Sequence, residues 1–418
     1  MRIALITAHN PVATAATDGE LAQPASLARA LAAHGHRVTV YARQHRADSP
    51  RTTILGRGVS VEHVTAGPPK PLPDDQSARH TPAFAGYLAD RWRVRPPDVV
   101  HAFSWVGGLA ALGALRGMAI PVLQTFGSLA SAELRVRPDG EVSRARLRME
   151  ACIARSADMV LAGSSAEAEE LARFGVPKSA IRVIPVGVDT DTFTPEGDRA
   201  PRDSRYRLIA VAPAGKPHGL TAVVRALTQL PNTELVVVGG PDARHLPRTG
   251  PWRDLCRLAA GLGVRGKVIF AGDVPEAELP ALLRSADLMI SAHAYEPSGM
   301  AAIRAMACGV PVVGTAAGAH NDAIVDGVTG LLVGPDSPGM IAQRVRALLA
   351  RPVLLEALGY AAADRAQSRY ALDRIGRETA GAYDWCLRGQ AAAQAAAESA
   401  EDAEYAEEAG LRELVALG

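Results

Sequence analysis

One pattern restricts this chain more than any other: short runs of β-branched and apolar residues alternate with helical stretches, break off at a polar, Pro-containing segment, and then begin again. In the first half, strand-like runs stand at Arg2–Thr7, Arg37–Tyr41, Val59–Val64, Asp98–Ala102, Ile120–Thr125, Asp158–Ala162 and Ile181–Pro185. Helical patterns lie between several of them, at Leu21–His34, Val106–Arg116, Ser143–Ser156 and Ala166–Phe174. The Pro-containing stretch Thr194–Ser204 reads as an interdomain linker. Beyond it come strands at Arg207–Ala212, Glu234–Gly239, Lys267–Gly272, Asp287–Ser291, Val310–Thr315 and Gly330–Val333. Helices intervene at Leu220–Gln229, Trp252–Leu262, Glu276–Ser285, Gly299–Cys308 and Ser337–Leu349. Continuous apolar strands separated by helices bury both faces only in a parallel sheet that is covered on each side. The fold class predicted is therefore α/β, with two doubly wound domains. Ligands of such sheets sit beyond the carboxyl ends of the strands, so the cleft between two facing domains is the expected site.

Composition adds exclusions. With 45 basic and 44 acidic residues in 418, the formal charge is +1, which excludes a strongly basic nucleic-acid binder. Cys152, Cys256, Cys308 and Cys386 form no Cys-x-x-Cys or Cys/His metal spacing, and a reducing cytoplasm is the expected compartment. The opening run Met1–Thr7 is too short for a signal peptide and reads as a first strand, and no apolar stretch has bilayer-spanning length. Only Lys70, Lys178, Lys216 and Lys267 are lysine, so each can be inspected. Gly67–Ser77, rich in Pro, Gly and Asp, predicts a surface loop. From Gln390 the chain is Ala/Glu-rich, which reads as a solvated helix or frayed end.

The strongest local signal for chemistry is Tyr295-Glu-Pro-Ser-Gly-Met-Ala-Ala-Ile-Arg304. A strand there leads through a short loop into a helix. The N–H groups of Gly299, Met300 and Ala301, with the positive end of the helix dipole, favour a phosphate. Glu296 just before them can accept hydrogen bonds from sugar hydroxyls, and Ser298 is a further donor-binding candidate.

Together with other segments this run resembles the retaining GT-B glycosyltransferases of family four, over roughly residues 1 to 385. Pro185-Val-Gly-Val-Asp-Thr-Asp-Thr-Phe-Thr-Pro195 is similar to the family's domain-junction segment. Ser285-Ala-Asp287, Glu296-Pro-Ser-Gly-Met300, Ala305-Met-Ala-Cys-Gly-Val-Pro-Val-Val313 and Asp326-Gly-Val-Thr-Gly-Leu-Leu-Val333 follow in the family's order. Within the family, Val237-Val-Gly-Gly-Pro241 and His101-Ala-Phe-Ser-Trp-Val-Gly-Gly108 resemble the enzymes that place N-acetylglucosamine on inositol phosphate in mycothiol assembly. The resemblance implies an acceptor-side domain over residues 1–195 and a nucleotide-sugar-binding domain over 205–370. It further implies a helix over 371–390 packing back on the first domain, ahead of an acidic tail, 391–418.

The same resemblance assigns roles to single positions. Glu296 falls on the carboxylate that receives the donor sugar, and Gly19 and Gly239 on loops that approach the donor. The position of a second, ribose-binding glutamate holds Arg304, which cannot accept a hydrogen bond; it could bind a phosphate, pair with a cleft carboxylate, stack on a base, or block the pocket. Where the family carries Arg and Lys against the diphosphate, this chain has Pro213 and His218, with Lys216 nearby as a substitute. A family cleft histidine is replaced by Gly127, while His101 remains as a catalytic candidate, or as a structural residue of a buried strand. A nucleotide-diphosphate sugar would be the co-substrate, a small molecule the acceptor, and no metal or other cofactor is expected. Asp189-Thr-Asp191 lies in the junction segment rather than in a metal-binding context. The altered positions suggest natural-product tailoring, for example onto a small thiol or an aminocyclitol. They also leave open a non-catalytic GT-B subunit with a partner protein, or a homodimer. A GT-B epimerase ranks last, since no pair of cleft carboxylates can be assigned.

Overall fold

The computed structural model describes residues 1–9, 23–136, 143–212, 217, 219–240 and 250–392. Two sheets account for its architecture. The first has eight strands: β1 (Arg2–Thr7), β2 (Arg37–Arg43), β3 (Thr52–Gly56), β4 (Val59–Val64), β5 (Val99–Phe103), β6 (Val122–Thr125), β7 (Met159–Ala162) and β8 (Ile181–Val183). Their spatial order is β3-β4-β2-β1-β5-β6-β7-β8. All neighbours pair parallel except β3, which returns antiparallel on β4. Strand β1 sits centrally, with Ile3 opposite Val38 on one side and Val99 on the other. Every residue of β5 is buried, as expected of a strand covered on both faces.

The second sheet has six parallel strands: β9 (Tyr206–Val211), β10 (Thr233–Val238), β11 (Val268–Gly272), β12 (Leu288–Ser291), β13 (Val312–Thr315) and β14 (Gly330–Val333), in the order β11-β10-β9-β12-β13-β14. In both sheets the order reverses beside the first strand, which leaves a crevice at the carboxyl edge there.

The structure adds elements that the periodicity did not reveal. Strand β3 alternates between exposed and half-exposed residues and has no continuous apolar run. Helices Thr81–Val94, Ala130–Val136 and Pro352–Arg365 were not anticipated, and the expected loop Gly67–Ser77 ends in a helical turn, Asp74–Ser77. The chain also joins the second body earlier than the linker: Val186, Val188 and Phe193 are buried in the core that holds Ile209, Met289 and Met306. In the opposite sense, residues 372–392 are helical and return to the first sheet. Ile375, Ala382, Tyr383 and Cys386 on this helix are buried among Leu5, Leu31 and Leu123. Each large apolar side chain so placed contributes about 1.5–3 kcal/mol. No helix among the described residues is long and apolar enough to cross a membrane.

Candidate functional site

Beyond Ser291, at the end of β12, the chain runs along the carboxyl edge of the second sheet and enters helix Met300–Ala307. Glu296 is buried in this loop. Its Oε1 accepts from the Gly299 N–H at 3.0 Å and lies 3.5 Å from the Ser298 hydroxyl. Its Oε2 is 3.2 Å from Nδ1 of His293. Burial alone would raise the carboxyl's pKa; the His293 hydrogen bond, the fields of His320 and His293, and the Gly299 N–H outweigh it and hold the group well below the usual carboxylate range. Glu296 is therefore a buried, ionised acceptor at the edge of the cleft.

Glycines let three loops stack around it. At Gly318 a Cβ would collide with the carbonyl oxygen of Glu296, and at Gly219 with that of Ala292. The Ala319 N–H donates to the Glu296 carbonyl at 2.8 Å. Gly299 has φ +70°, a conformation that lets the chain turn sharply into the helix without strain. Gly239, at φ +92°, follows β10, and its N–H donates to the Gly272 carbonyl at 2.6 Å, tying the loops after β10 and β11 together.

Two of the N–H groups expected to cradle a phosphate at Gly299–Ala301 are already engaged. The Gly299 N–H is taken by Glu296, and the Met300 N–H by Ser298 Oγ at 3.2 Å. An unsatisfied N–H at a buried helix start is costly, and the loop supplies its own acceptors. A phosphate here has to displace them. Met300 is buried in the second core, and Ala301 packs against that core half-buried.

Arg304 is also buried, with Nη2 donating to Glu276 Oε1 on the loop after β11 and Cζ 5.0 Å from the ring centre of Phe193. Of the roles left open by the sequence, the structure displays pairing with a cleft carboxylate. Arg304, Glu276 and Phe193 line an interdomain cavity of about 60 Å³ together with Met300, His101 and Thr125. That space is small beside the several hundred Å³ of a typical ligand pocket.

His101 occupies the second of the two settings left open for it, inside a buried strand. It is the third of five residues in β5 and is 1% exposed. Nδ1 lies 2.8 Å from the Tyr383 hydroxyl and Nε2 2.9 Å from Thr125 Oγ1, and burial pushes its pKa down to about 3. A neutral imidazole with both nitrogens engaged ties β5 to β6 and to the C-terminal helix. Gly19, Lys216 and His218 lie outside the described residues, as do Pro213 and the tail from residue 393. The sequence reading missed His293 and His320. The His-x-x-Glu spacing in His293-Ala-Tyr-Glu296 was the available signal for the first. His320, after β13, bonds the Thr315 carbonyl through Nδ1 at 3.0 Å, and only the fold brings it near Glu296.

Two facing doubly wound domains, with a buried ionised carboxylate and a helix start at the carboxyl edge of the second, define a GT-B glycosyltransferase. Residues 25–192 match the family described as Glycosyltransferase Family 4, and residues 198–365 match Glycosyl transferases group 1. A D-inositol 3-phosphate glycosyltransferase of Acidothermus cellulolyticus is 34% identical over 346 residues, covering 78% of this chain and 76% of that one. One of Streptomyces bingchenggensis is 30% identical over 413 residues, covering 93% and 90%. The chain belongs to glycosyltransferase family 4. Among solved structures, sucrose-phosphate synthase from Thermosynechococcus elongatus superposes with a TM-score of 0.84 at 25% identity, covering 93% of this chain and 99% of that one. Anabaena HepE, in complex with UDP and glucose, gives 0.70 at 19% identity over 92% and 99% and supports the fold.

Proposed function

We propose that this protein moves a sugar from a nucleotide-diphosphate donor to a small-molecule acceptor, with retention of configuration and without a metal ion, in the biosynthesis of a natural product. The observation that carries the reading is Glu296, ionised and buried at the cleft edge, where a carboxylate can accept from sugar hydroxyls. The donor sugar lies on Glu296, and its diphosphate faces the start of helix Met300–Ala307, whose dipole stabilises the departing charge. Lys216, His218 and Gly19 are the proposed phosphate contacts. The acceptor enters from the carboxyl edge of the first sheet, on the face from which the diphosphate leaves. The bond from the anomeric carbon to the phosphate oxygen breaks with its electron pair on the diphosphate. The acceptor heteroatom bonds to that carbon, and its proton passes to the leaving phosphate oxygen. The tailoring role rests on Arg304, Pro213 and Gly127, where the family's usual groups are replaced. Asp189 supports the metal-free reading, since its carboxylate caps the turn of Asp191 and Thr192. The four free cysteines agree with a reducing cytoplasm.

A second reading, a non-catalytic GT-B subunit, is favoured by the paired state of Arg304 and the closed helix start. Calorimetry with a panel of nucleotide sugars, followed by chromatography for released nucleotide, decides between them. Binding with release supports transfer. Binding of none overturns it.

A further inference from the structure

A second cluster of charged side chains stands at the carboxyl edge of the first sheet. His9 follows β1, and its Nε2 lies 2.9 Å from Oδ1 of Asp74, which opens the helical turn Asp74–Ser77. Ser128 and Glu133 follow β6, and Arg146 and Glu150 lie on helix Arg144–Ser156. Arg146 is spent on this frame. Its Nε donates to Glu150 Oε1 at 2.7 Å, Nη1 to Glu133 Oε2 at 3.3 Å, and Nη2 to Glu133 Oε1 at 2.9 Å. The same Nη2 also reaches Oγ and the carbonyl of Ser128 at 3.2 and 3.3 Å. Burial pushes the Glu150 carboxyl up, so freeing Arg146 for another anion would strand a fully buried acid.

The balance of charge follows. Glu133 and Glu150 are bonded to the one guanidinium and Asp74 lies within its field, so among the described residues the three acids of the cluster outnumber Arg146 and His9 together. Asp74 and Glu133 keep about a third of their side-chain surface open, at 30% and 33%. A separate observation points to a ligand in this space. Trp105, 5% exposed, holds its indole N–H beside Asp74 without completing a hydrogen bond there, a donor suited to a hydroxyl or ring oxygen.

We propose that this edge selects an acceptor with a protonated amine on a polyhydroxylated ring, an aminocyclitol or amino sugar, over one carrying a phosphate. Asp74 and Glu133 receive the ammonium, Trp105 donates to a ring oxygen, and Arg146 braces Glu133 from behind. Two relatives carry inositol 3-phosphate in their names, so the proposal separates this chain from them by acceptor charge. It rests on the transfer reading above only in treating the ligand as the second substrate.

The test is calorimetry on the full chain with three rings of one configuration: 1-amino-1-deoxy-myo-inositol, myo-inositol and myo-inositol 1-phosphate. The amine is expected to bind about 10-fold or more tighter than the phosphate. Asp74→Asn and Glu133→Gln should each weaken amine binding about 5-fold or more while weakening myo-inositol less. Equal or tighter binding of the phosphate overturns the proposal, and so does failure of the amine to bind at millimolar concentration. A separate titration with nucleoside diphosphates keeps the two readings apart. Amine binding without nucleotide binding defeats glycosyl transfer and leaves the acceptor preference standing. Nucleotide binding with phosphate preferred defeats the acceptor preference alone.

Discussion

A carboxylate stays ionised in a buried loop only when donors surround it, and Glu296 has His293 on one oxygen and the Gly299 N–H on the other. Glu296→Gln keeps an acceptor for the helix start but removes the charge. The expected outcome is a loss of about 100-fold or more in kcat, read from nucleotide release, with Tm within about 4 °C of wild type. An unchanged rate would remove Glu296 from the chemistry. His101 supplies a prediction of another kind. Its folded pKa, about 3, lies below the ordinary histidine value of 6.5, so unfolding takes up a proton between the two. The stability it contributes is complete above about pH 6.5 and declines as pH falls toward 3, by about 1.4 kcal/mol per pH unit. His101→Gln, which keeps a donor and an acceptor, should remove that slope. Urea unfolding at pH 7 and pH 5 should show the gap between wild type and variant narrowing by about 2 kcal/mol. Among single residues, Glu296 was legible because its loop has a recognisable composition. The setting of His101 was not, because Tyr383 lies far along the chain.

At the scale of elements, continuous apolar strands announced themselves, and the elements that were missed lacked that signal. Strand β3 is a half-exposed edge, and Thr81–Val94 buries only Phe84, Leu88 and Trp92. The stacking of loops around Glu296 was legible only as an excess of glycine. Gly318 shows what such a glycine does, since a Cβ there would meet the Glu296 carbonyl. Gly318→Ala should cost about 1–3 kcal/mol and lower kcat, because relieving the clash moves the Glu296 loop. Thermal unfolding and nucleotide release together check it, and an unchanged value of both would refute the stacking. Arg304 belongs at this scale because it joins the helix to the loop after β11. Arg304→Glu would set two carboxylates face to face, with an expected loss of about 3–5 kcal/mol; exchanging both residues, with Glu276→Arg added, should recover most of it. A double variant no more stable than the single one would show that the pair is not what holds these elements together.

At the scale of the whole molecule, two joints between the bodies stand close together in the described residues, and they differ in kind. At the first the chain crosses between the bodies twice, and the crossings are bonded to each other. The Val188 N–H donates to the Tyr370 carbonyl at 2.8 Å, and the Leu372 N–H donates to the Val188 carbonyl at 2.9 Å. Backbone bonds between buried crossings make a hinge that resists separation. Next to this joint stands a polar latch: Asp322 of the second body accepts at 2.6 Å from the Ser165 N–H, at the start of helix Ser165–Arg173 of the first. Arg365 and Tyr370 hold the Asp322 carbonyl, so the carboxylate is aimed rather than loose. An acid at a helix N-terminus is worth about 0.3–1 kcal/mol when exposed, a size that a substrate's binding energy can overcome. A cavity of about 270 Å³ beside the latch, lined by Gly163, Ser165, Ser298 and Asn321, leaves the bodies room to adjust. Asp322→Ala should therefore shift the molecule toward an open form without unfolding either domain. Small-angle scattering should show a larger radius of gyration for the variant at low salt. The difference should shrink at high salt, where the wild-type latch is screened as well. Matching profiles at both ionic strengths would mean that the double crossing alone sets the domain angle.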